Sequence, residues 1–149
     1  MDLARLRSAA ITTGRVQGLK MTRTGETWSY EFFEDGDGDG LRSDDIAAGR
    51  DRRTGGLVRL ADHFEGVDFG LLEVSVPEVP PGTGRLAPGS DPVRFGRSEI
   101  VSFTPHGTSS SGSFYVSDRR RVLFAVVLYG GTGRIRTLRY DRELGGWRR

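Results

Sequence analysis

The sequence has no cysteine, which removes disulfides, a thiol nucleophile and thiolate-held metal together. Histidine is nearly absent. His63 and His106 are the only two, so imidazole acid–base chemistry and multi-histidine metal sites have little to draw on. Lysine is represented by Lys20 alone; the positive charge is therefore arginine, and no Lys-Ser/Thr pair is present to complete a P-loop. No stretch approaches the roughly 20 consecutive apolar residues of a membrane-crossing helix. The first residues also lack the succession of charged, apolar and small residues that marks a secretory signal.

What is there suits one domain. The chain has 149 residues, 36% of them hydrophobic, enough to bury a core without a metal or disulfide staple. The formal net charge of +2 conceals an uneven distribution: residues 119–149 hold nine arginines against Asp141 and Glu143, so the rest of the chain is net negative. Clustered guanidinium groups raise the local potential whatever the net charge, and such an end would meet phosphate, anionic lipid or an acidic partner.

Hydrophobic spacing changes along the chain. Leu3, Leu6, Ala10 and Thr13 recur at three- and four-residue steps, which predicts a helix over about 2–14 closed by Gly14. From Val16 the period becomes two: Leu19 and Met21, a turn at Thr24-Gly25, then Trp28, Tyr30 and Phe32 alternating with polar residues, the pattern of a β-hairpin. A polar stretch runs from Glu34 to about Gly56, with further strands expected at 57–60, 67–69 and 71–76. The segment 77–98 holds five of the six prolines and is expected to be an irregular surface loop. It separates a first β region (about 16–76) from a second (99–140), with strands at 99–103, 113–117, 122–129 and 134–140, the apolar run 122–128 being central. The fold class is α+β: an N-terminal amphipathic helix packed on antiparallel sheets.

The most specific chemical motif is DGDGDGLRSDD. Asp35, Asp37 and Asp39 occupy positions one, three and five of a calcium loop, and Gly40 stands at the sharp turn of position six. Position twelve is Ile46 and not the bidentate glutamate, so Asp44 or Asp45 would have to substitute from positions ten and eleven. The competing and preferred expectation is a solvated acidic turn whose carboxylates bond nearby N–H groups; calcium is the one cofactor to consider. Asp62 and His63, read as neighbours on a strand, would face opposite ways and form no catalytic pair. The glycines of GGTGR at 130–134 read as a hairpin turn, with no helix following to hold a phosphate. No catalytic residue is assigned, and the chain is not expected to be an enzyme.

In order, these parts resemble a known family. The helix with Arg7 and Ala10, the strand 28–33 running into an Asp/Gly loop, the block IVSFTPHGTSSSGSFYV (100–116) and the closing VLFAVVLYGGTGRIR are similar to the H-class minor pseudopilins of type II secretion and the FimT-like minor pilins of type IV pili. The resemblance implies a globular head at or near a pseudopilus tip, in the periplasm, on a protein anchored in the inner membrane, with other minor and major pseudopilins as partners. Family members begin with a prepilin leader and a hydrophobic helical half, and neither precedes Asp2. The chain thus resembles a head without its anchor, and the membrane would be reached only through that helix. For FimT-like members the resemblance implies DNA binding through GRxR, matched by Gly133, Arg134 and Arg136, with Arg139 and the later arginines extending the surface.

Overall fold

In the computed structural model, which describes residues 3–149, the N-terminal periodicity folds as helix α1 (Leu3–Thr13), burying Leu3, Leu6 and Ala10. Thr13, expected on that stripe, is exposed; its hydroxyl donates back to the Ala9 carbonyl at 2.7 Å and accepts from the Gln17 side chain. Gly14 ends the helix with φ +69 and an N–H bonded to the Ala10 carbonyl, an αL cap that a side chain would strain. The expected position at Asp2 lies outside the described residues.

The hairpin forms from β1 (Gln17–Thr24) and β2 (Thr27–Glu34), paired from Gln17↔Glu34 to Thr24↔Thr27. This register puts Leu19, Met21, Trp28 and Tyr30 on one face, all buried, as strand alternation requires. The polar stretch that follows contains a short helix α2 (Ser43–Ala48) and the strand β3 (Arg52–Arg53) on the edge of β2. Residues 57–60 are not a strand. Val58 makes one bridge to Tyr30, and Leu60 opens the short helix α3 (Leu60–His63), so Asp62 and His63 are helical neighbours, which also do not face each other. Of the strands expected next, only β4 (Asp68–Phe69) and β5 (Val76–Pro77) form. The second region supplies β8 (Ile100–Phe103), β9 (Gly112–Ser117), β10 (Leu123–Tyr129) and β11 (Arg134–Asp141), followed by β12 (Gly146–Arg148), which the sequence reading missed.

Two antiparallel sheets carry the fold. One has the order β3-β2-β1-β8, and the other β12-β11-β10-β9-β4. Each draws strands from both sides of residues 77–98. The first core lies between the sheets under α1 and joins Leu3, Leu6 and Ala10 to Leu19, Trp28, Phe69, Phe103 and Phe114.

Residues 77–98 correct the expectation of a surface loop. β6 (Arg85–Leu86) pairs with β5, and β7 (Val93–Arg94) adds to β9. Val76, Val79 and Leu86 are buried with Tyr115, Leu123, Ala125 and Val127 in a second core, on the far face of the second sheet. That sheet packs against a core on each face, which explains the nearly unbroken apolar run of β10. Polar pins fix the cover: the Val79 N–H donates to the Tyr115 hydroxyl at 3.0 Å, and the Trp147 indole N–H to the Pro77 carbonyl at 2.9 Å.

Candidate functional site

Strand β2 ends at Glu34 and hands the chain directly to Asp35, whose N–H bonds the Val16 carbonyl at 2.9 Å. Asp35 is 5% exposed. Its Oδ1 accepts from the N–H groups of Asp37 and Gly38, and its Oδ2 from Gly40 at 2.9 Å. A first-position carboxylate thus winds the loop around itself, and Gly38 and Gly40 take the positive φ values the winding needs. One carboxylate oxygen from each of Asp35, Asp37, Asp39 and Asp51 lies within 4.8 Å of all the others. Oxygens that share an ion at about 2.4 Å are at most about 4.8 Å apart, so the spacing matches a common cation.

Asp51 was not legible in the motif. It comes after α2, beyond the span of any twelve-residue template, and reaches the cluster only because the chain turns back to form β3. It is 2% exposed, with Oδ1 accepting from the Gly36 N–H and Oδ2 from the Arg42 N–H at 3.0 Å; it fastens the two limbs of the loop. Asp45, in the first turn of α2, is 4% exposed. Its Oδ1 accepts from Arg50 Nε at 2.6 Å, while its Oδ2 is buried without a hydrogen-bond partner. Asp44 is exposed.

The electrostatics follow from this crowding. Burial works against the charge of Asp35, but the N–H of Gly40, with those of Gly38 and Asp37, outweighs it and holds the carboxyl below its ordinary value. The Arg50 guanidinium holds Asp45 low in the same way. Asp37 takes the strain: Asp39 beside it, then burial and Asp35, push it up to about 6. Arg42 and Arg50 supply the local positive charge, at 3.4 Å from Asp39 and 4.0 Å from Asp37. Two cations face six aspartates between residues 35 and 51.

The arginines divide by strand parity. Arg134 and Arg136 share one face of β11, and Arg136 lies over the Tyr129 ring at 5.9 Å. Arg139 is on the opposite face, over Phe124 at 5.9 Å, so the three do not form one surface. A separate concavity of about 480 Å³ gathers Arg121, Arg139, Arg142, Arg148 and Arg149 around Tyr140, with Arg148 paired to Asp141 at 2.9 Å. His63 and His106 are both exposed, and neither lines this concavity.

An apolar groove of about 550 Å³, not foreseen from the sequence, runs beside the first turn of α1. Leu3, Leu60, Phe64, Phe124, Val126 and Ile135 line it, and Phe64 and Phe124 are 56% and 37% exposed. Among the described residues, no titratable side chain lines it. The only sequence signal for it was Phe124 within the apolar run of β10.

No family model matches the chain, and neither a curated protein nor a solved structure matches it.

Proposed function

We propose that this chain is the periplasmic head of a minor-pseudopilin-type subunit, which works by docking against neighbouring subunits near a filament tip and not by catalysis. The observation that carries the reading is the groove beside α1: an open apolar surface bordered by the helix that, in a pilin-like subunit, leads toward the filament core. Among the described residues its lining offers neither acid nor base, so it suits the apolar face of a neighbouring subunit's helix and offers a small substrate little to react with. The N-terminal helix laid on antiparallel sheets is compatible with the same reading. In pull-down and calorimetry with the minor pseudopilins encoded beside it, the chain should bind at least one at micromolar concentration. Replacing Phe64 and Phe124 together by Glu should weaken that binding by on the order of tenfold or more, since buried aromatic anchors dominate interfaces. Failure to bind any of them would remove the proposal.

The concavity of five arginines favours a second reading, a FimT-like head that binds DNA through its C-terminal region. Contacts of this kind follow phosphates. DNA binding would then fall about tenfold or more between 50 and 200 mM salt. Arg139→Ala with Arg142→Ala would reduce it more than Arg134→Ala with Arg136→Ala, because the latter pair does not line the concavity. An unshifted gel at low salt excludes this reading.

A further inference from the structure

The loop between β2 and β3 presents an arrangement that an acidic turn does not require. An acidic turn is complete once its carboxylates have accepted the local N–H groups, and Asp35 and Asp51 meet that condition with both oxygens engaged. Asp45 does not. Its Oδ2 is buried and receives no donor, and the carboxyls adjoining Asp45 are those of Asp39 and Asp37, which when ionised bring acceptors and no proton. A buried carboxylate oxygen turned toward other carboxylates is unfavourable in the protein alone. A hard cation satisfies all of these oxygens together.

We propose that residues 35–51 form a calcium site, in which Asp35, Asp37, Asp39 and Asp51 supply carboxylate oxygens and Asp45, whose Oδ2 is buried without a partner, adds one from α2. Position eleven, held by Asp45, takes the place of the glutamate missing at position twelve, because α2 starts inside the loop and turns that side chain inward. Asp35 and Asp51 retain lone pairs beyond those used by the backbone, since an ionised carboxylate offers about four acceptor sites. The donors are all oxygen, with no His or Cys among them, which disfavours zinc. Asp37 and Asp39 lie toward solvent on a Gly-rich turn. That irregular geometry suits calcium's variable coordination better than the near-ideal octahedron magnesium demands. The elevated proton affinity of Asp37 agrees with a cluster short of positive charge. The site joins the end of β2 to β3, so calcium would fix the loop against the sheet edge.

The test uses the full chain, stripped with EDTA, dialysed and titrated with calcium chloride by isothermal calorimetry, with Tm followed in parallel. Saturable binding with Kd at or below about 1 mM, a raised Tm and weaker binding of magnesium chloride are expected. Asp37→Asn alters the solvent side of the cluster and leaves the core intact; it should raise Kd by about tenfold or more. Asp45→Asn should do the same, with far-UV circular dichroism confirming the fold. Asp44→Asn removes an exposed carboxylate outside the cluster and should leave Kd unchanged. Absence of both heat and Tm shift at about 10 mM calcium, above the weakest extracellular modules, overturns the proposal. So does a Kd indifferent to Asp37→Asn, or one that follows Asp44→Asn equally. Equal affinity for magnesium overturns the assignment to calcium.

Discussion

Gly133 and Gly107 meet where the two closing motifs of the sequence cross. A Cβ on Gly133 would overlap the Gly107 carbonyl oxygen, and Gly133 has φ +65, so both space and backbone exclude a side chain. Arg7 of α1 clasps the pair, its guanidinium donating to the carbonyls of Gly107 at 3.3 Å and Thr132 at 3.4 Å. Gly133→Ala should therefore destabilise the protein by about 2 kcal/mol or more, read from urea unfolding, and more than Gly131→Ala, where a Cβ meets open space. A stability equal to the parent's would show that the turn relaxes freely. Asp118 provides a pH signature at the same scale. Its Oδ1 accepts the N–H groups of Val122, Arg121 and Arg120, which lowers its pKa from 3.8 to about 2. A carboxyl depressed on folding stabilises the native state above its unfolded pKa, and that contribution disappears as pH falls through the folded value. Asp118→Asn should thus lower Tm at neutral pH, and its deficit should shrink between pH 3.8 and about 2. A constant deficit across that window would exclude these hydrogen bonds as the cause.

Among the elements, residues 77–98 separate local from tertiary information most clearly. Prolines there announced irregular backbone, and the backbone is irregular. Yet Val79 and Leu86 are buried against the second sheet. Leu86→Ala should cost about 2–5 kcal/mol, as for other buried leucines, while Val74→Ala, at an exposed position, should stay within about 0.5 kcal/mol; thermal or urea unfolding measures both. Equal small effects would return the segment to a surface loop. The hairpin of β1 and β2, and the strands β8 to β11, were legible because alternation against one core repeats over several residues. Of the two-residue strands, β4 falls within the expected 67–69 and β5 touches the end of 71–76, but β3, β6 and β7 were not legible. They exist through pairing with partners distant in sequence, and two residues carry no period.

Taken whole, the molecule is two cores sharing one sheet, and the two tryptophans report on them separately. Trp28 lies in the core under α1, 3% exposed, whereas Trp147 packs against the second core beside Tyr115 and Tyr140. Because β9 and β10 contribute side chains to both cores, unfolding should be a single cooperative transition. The variants Trp28→Phe and Trp147→Phe, each with one remaining tryptophan, should give tryptophan-fluorescence midpoints that coincide with circular dichroism of the same variant. Separate midpoints would mean that the cover of the second core opens alone.

By itself, the sequence determined the helix, the long strands, the order of turns and the three alternating aspartates, because each depends on neighbours a few residues away. The tertiary structure alone decided that Asp45 and Asp51 join those aspartates, that Arg139 parts from Arg134 and Arg136, and that Phe64 and Phe124 border a common groove. Those relations are set by strand pairing and by where the chain turns back. Long-range contacts bring such groups together, and no short window of sequence encodes the distance between them.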